Sequence, residues 1–136
     1  MNSGWTKVAS FATDIRANAQ TIWDSRVSTS IVWRFDRLLR SHTLQPGCVL
    51  QHWPIGLVKG RASGSGGPRA RSYSLQGWPN GYGKWRCNLA GGRLVREMVD
   101  VLNNPNHGYP RMPLPDGSVG AWNVFGVGLV LFMDGY

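Results

Sequence analysis

The chain predicts an α+β fold, with two or three amphipathic helices packed on a small antiparallel sheet that contains a hairpin over residues 71–89. Three observations carry that expectation. Apolar residues recur at spacings of three and four in three separate segments, the period of one helix face. Pro79-Asn80-Gly81 stands between two stretches whose side chains alternate, the signature of a turn between strands. The chain has 136 residues, 42% of them hydrophobic, which suits a single domain able to bury its own core. That domain runs over 1–136, with a helical N-terminal part (1–42), a basic loop (59–71) and a mixed α/β part (72–136).

Taken in order, Val8, Phe11, Ile15, Ala19 and Ile22 mark a first helix over 6–23. The stretch DSRVSTS is rich in capping and turn formers and breaks it. Ile31, Phe35, Leu38 and Leu39 mark a second helix over 28–40, capped by Ser28 or Ser30, with Arg34, Arg37 and Arg40 on an adjacent stripe. SHTLQPG (41–47) is a linker, and CVLQHWPIGLV (48–58) reads as a strand broken at Pro54. KGRASGSGGPRAR (59–71) is a Gly/Ser-rich basic loop.

In the hairpin, Tyr73 and Leu75 alternate on the incoming strand. Trp85, Cys87 and Leu89 share one face of the outgoing strand, and Tyr82, Lys84 and Arg86 the other. This places Cys87 inward and the cations outward. Gly91-Gly92 leads to a third helix over 92–103, whose face is Leu94, Val95, Met98, Val99 and Leu102. Asn103-Asn104-Pro105 ends it. Residues 104–118, with four prolines, form an extended loop. The apolar run 119–133 is one buried strand or a glycine-kinked pair. It is too short to span a bilayer, and a short membrane-embedded segment is the alternative. The N-terminus lacks the unbroken apolar core of a secretory signal.

Charge bounds the function. Fifteen Lys and Arg oppose seven Asp and Glu, a net charge of +8. No acid lies between residues 37 and 96, where Arg37, Arg40, Lys59, Arg61, Arg69, Arg71, Lys84, Arg86, Arg93 and Arg96 fall. Arginine forks match phosphate and carboxylate geometry. A window of cations with no internal anion expects an external one: RNA, another polyanion, anionic lipid or acidic partner chains. Charged residues make up only 16% of the chain while tryptophan numbers seven. Much of the surface is therefore expected to be covered, by other protein subunits, by nucleic acid or by lipid.

The anion-binding candidates are Lys59, Arg61, Arg69, Arg71, Lys84, Arg86 and Arg93. Trp78, Tyr82 and Trp85 are candidates for stacking on unpaired bases. Three histidines and two cysteines at wide spacing match no metal-ligand pattern. The glycines of GRASGSGG lack a nucleotide-binding frame, so no cofactor is expected. The reading is a non-enzymatic basic subunit of a larger assembly, within the cell or inside a virion, ribosome or organelle complex.

One enzymatic alternative rests on a resemblance. WRCNLAGGRLVREMVDVL (85–102), followed by RMPLPDGSVGAW (111–122), is similar to papain-like peptidoglycan amidases. These set a nucleophilic cysteine at the start of a helix, often after a lysine and before an asparagine. The resemblance implies Cys87 as nucleophile in a Cys–His hydrolase, with His52 as its partner in a rearranged order. The sequence departs from that pattern in two places. Gly91-Gly92 sits where the helix should run, and His107 follows Cys87 too closely to match the family's catalytic histidine.

Overall fold

Asp24 starts the first helix. Its carboxylate accepts hydrogen bonds from the backbone N–H groups of Arg26 and Val27, both at 2.9 Å, satisfying donors that no helical carbonyl reaches. The structure is a computed structural model and describes Val8, residues 21–56, 77–79 and 84–135. Helix α1 runs Ser25–Ser41, so the hydroxyl-rich stretch expected to be a break is the helix's first two turns. Ser28 and Thr29 donate to the carbonyl of Ser25. The Ser28 and Thr29 hydroxyls are satisfied within the helix and that of Ser30 by Asp134, which lets all three be buried beside Val27, Ile31 and Val32. The helix expected over 6–23 falls mostly outside the described residues. Residues 21–23 precede α1 as irregular chain.

The end of α1 is a Schellman-type reversal. Thr43 N–H bonds to the Arg40 carbonyl and Leu44 N–H to that of Leu39. The reversal needs a left-handed residue, and Thr43 supplies it at φ 57°, a conformation that β-branched residues resist. Over the described residues 48–56 the expected strand is absent. Pro46 opens the single turn α2, Gly47–Leu50, because its ring presets a helical φ. Past that turn Trp53 is half-buried and Ile55 fully buried against the core.

The second correction concerns the hairpin over 71–89. Of it, 71–76 and 80–83 lie outside the described residues. Its outgoing strand is instead the start of helix α3, Trp85–Asn103. Trp85 and Leu89 lie one helical turn apart and are exposed, while Cys87 between them is buried. The helix runs unbroken through Gly91-Gly92. Gly91 is needed there because a Cβ would overlap the ring of the buried Trp23. The expected end holds: Asn104 caps the 3-10 turn Pro105–His107 that follows α3.

The described sheet starts in the proline-rich stretch expected to be plain loop and ends in the first two residues of the run expected to be strand. Strands β1 (Met112–Pro113) and β2 (Val119–Gly120) pair antiparallel, Met112 opposite Gly120 and Pro113 opposite Val119. Asp116 holds the turn, accepting from the backbone and hydroxyl of Ser118. These bonds hold its carboxyl below the usual carboxylate range. Asn103 ties this arm to α3 by donating to the Trp122 carbonyl and accepting from its N–H, both at 2.8 Å.

The last correction is the run 119–133. Beyond β2 it is a helix, α4, Val124–Asp134, capped by Asn123. Its C-terminal end meets α1: Asp134 pairs with Arg34 at 3.1 Å and accepts from Ser30. Gly135 lies so close to the Arg26 carbonyl that a Cβ would strike it. Helices α1, α3 and α4 enclose a core that includes Trp23, Val27, Ile31, Leu94, Val95, Val127 and Leu131. The α+β class stands, with helices dominant and, among the described residues, the sheet reduced to one short hairpin.

Candidate anion-contacting end of helix α3

The N-terminus of α3 presents Lys84, Trp85 and Arg86, all exposed. Trp85 is 51% exposed. Lys84 occupies the cap position without a capping side-chain hydrogen bond, and the first turn carries no acidic residue. The first N–H groups of a helix have no helical partner and carry the positive end of its dipole. Two cations are therefore added to an end that is already positive. Among the described residues neither forms an ion pair.

Arg93 lies two turns further along, exposed, with its guanidinium 5.9 Å from the centroid of the Trp53 ring. At 3.6 residues per turn, Arg86 and Arg93 share one outer face. Further along that face the sign reverses, with Glu97 and Asp100 exposed. Cations at the N-terminal half and acids at the C-terminal half oppose the polarity that stabilises a helix. An anion bound at the N-terminal end would relieve that conflict.

The other candidates divide. Lys59, Arg61, Arg69, Arg71 and Tyr82 lie outside the described residues. Trp78 cannot stack on a base. It is fully buried, and its indole N–H donates to the Asp36 carboxylate at 3.0 Å. Asp36 is itself buried in α1 and takes a second bond from Arg40 at 2.6 Å. Sequence reasoning missed Asp36 as the tie between α1 and the Trp78 segment. The signal was present in a lone acid bordering a long acid-free window.

Cys87 is buried in the first turn of α3. Burial pushes its thiol up, against the opposing pull of Lys84 and Arg86. His52 is exposed, and among the described residues no histidine hydrogen-bonds to Cys87. Cys48 is exposed, and both cysteines are free thiols. No protein-family model, curated protein or solved structure matches the chain.

Proposed function

We propose that the chain is a non-enzymatic basic subunit that contacts a polyanion, RNA first, through the Lys84–Trp85–Arg86 end of α3. The observation that carries this reading is the uncapped, acid-free N-terminus of α3, bearing two unpaired cations and an exposed tryptophan. Phosphates would meet the free N–H groups, Lys84 and Arg86. Trp85 would stack on an unpaired base. By sequence, Lys59, Arg61, Arg69 and Arg71 add to the same charge.

A salt titration of binding to mixed single-stranded RNA tests it. Affinity should fall linearly in log–log form, and Lys84→Gln with Arg86→Gln should flatten the slope by about 0.7 for each charge removed. Binding that is indifferent to salt would sink the proposal.

A second reading keeps Cys87 as the nucleophile of a papain-like amidase. The observation in its favour is that α3 starts just before Cys87 and runs through Gly91-Gly92, which removes one of the two departures from that family. The raised thiol and the missing histidine bond weigh against it. Alkylation at neutral pH separates the two readings. On the first, Cys48 reacts quickly and Cys87 only when the chain unfolds. Rapid modification of native Cys87, together with peptidoglycan cleavage that Cys87→Ala abolishes, would establish the enzyme instead.

A further inference from the structure

Helix α4 reads VFGVGLVLFMD, apolar on every side. Only Val127 and Leu131 are buried in the core. On the opposite side Phe125, Leu129 and Met133 follow one another at intervals of four and are 53%, 52% and 62% exposed. Val130, 49% exposed, widens this ridge. A surface helix ordinarily carries polar residues there.

The ridge has a basic border. On one flank is Phe132, with the Arg26 guanidinium 4.5 Å from its ring centroid. On the other is Asp134, neutralised by Arg34 at 3.1 Å. Arg37, one turn beyond Arg34 on α1, is exposed over the Trp33 ring. Next to Val130 an open apolar cavity of about 540 Å³ continues the surface, walled by Met98, Val101, Tyr109 and Trp122, with Arg34 and Glu97 its charged lining residues.

We propose that this ridge is a membrane-surface element that lies in the headgroup region of an anionic bilayer. Charge chooses the occupant. An anionic bilayer offers negative headgroups to the exposed Arg37 and to a chain of net charge +8, and an apolar layer to Phe125, Leu129 and Met133 at once. RNA has no aliphatic layer to cover the ridge, and a second copy would bring another +8 charge to it. No described helix is long and apolar enough to cross a membrane, and α4, about 16 Å long from its rise per residue, lies in the plane. Tyr109 and Trp122 are residue types that favour the membrane interface. The inference uses none of Lys84, Trp85, Arg86 or Arg93, so it and the RNA reading stand or fall separately.

The test is co-sedimentation of the full chain with vesicles of equal parts phosphatidylglycerol and phosphatidylcholine, against phosphatidylcholine alone. Binding should be at least about tenfold tighter to the anionic vesicles and weaken with salt. Leu129→Asp should reduce it about tenfold or more at an unchanged melting temperature. The milder Phe125→Ser and Met133→Gln should each reduce it in the same direction, while Lys84→Gln with Arg86→Gln leaves it intact. Three results would overturn the proposal: no sedimentation with anionic vesicles, parental binding by Leu129→Asp, or a concentration-dependent dimer that Leu129→Asp dissociates. The last would assign the ridge to a second copy.

Discussion

Helices α1 and α4 invert the usual relation between composition and burial. The first half of α1 is rich in Ser and Thr, yet residues 27–32 are all buried. Helix α4 has one charged residue in eleven, yet half of its circumference faces out. The difference teaches that polarity alone does not place a residue. Hydroxyls enter the interior of α1 because Ser28 and Thr29 bond to the Ser25 carbonyl, and Ser30 to Asp134. Apolar groups of α4 stay outside because, among the described helices, α1 and α3 make its main contacts and cover one side.

The largest expected effect tests the two sides of α4 against each other. Leu131→Ala, in the core, should cost about 3 kcal/mol in denaturant unfolding. Leu129→Ala, on the ridge, should stay within about 0.5 kcal/mol. Equal losses would mean that the ridge is covered within the folded chain. Next comes the buried acid of α1. Asp36→Ala should cost about 2 kcal/mol, because it strands the indole N–H of Trp78 in the interior. Urea midpoints followed by circular dichroism would measure it. A change below about 0.5 kcal/mol would show that the Asp36 bond does not stabilise α1.

The smaller effects concern helix ends. Thr43→Gly should raise stability by about 1 kcal/mol, since a β-branched residue at φ 57° is strained and glycine is not. A lower melting temperature would refute the left-handed reversal. The smallest stability change is also the most telling for function. Lys84→Asp supplies the missing cap and a charge of the favourable sign, so it should stabilise α3 by about 0.5–1 kcal/mol. It should weaken RNA binding at the same time. Gain of stability with binding unchanged would separate the end of α3 from the anion.

Part of this fold is legible in the sequence. The face of the third expected helix is the one found, that of the second is found except for the exposed Leu38, and Asn103-Asn104-Pro105 ends α3 where the pattern says. The starts are misjudged for a local reason. Ser and Thr favour caps as readily as they tuck against a helix backbone, so DSRVSTS reads as a break. The alternation Trp85, Cys87, Leu89 reads as a strand, but three residues cannot distinguish period 2 from a helix whose turn joins the first and third. Gly91-Gly92 looks like a break because Trp23, its packing partner, lies far away in sequence. Strands of two residues among prolines leave no period to detect. In the candidate site, Lys84, Arg86 and Arg93 are visible as unpaired charge. That Trp85 is exposed and Trp78 buried is not.

The sequence by itself determined the net charge, the acid-free window, the apolar stripes of α1 and α3 and the stop at Asn104-Pro105. These depend on composition and on neighbours within one turn, which the linear order contains. The tertiary structure alone decided that Lys84 and Arg86 crown a helix end, that Trp78 is packed away and that α4 shows an apolar ridge. Burial is set by contacts between distant segments, such as Trp23 on Gly91, Asp36 with Trp78 and Arg34 with Asp134, and no local pattern encodes which of them form.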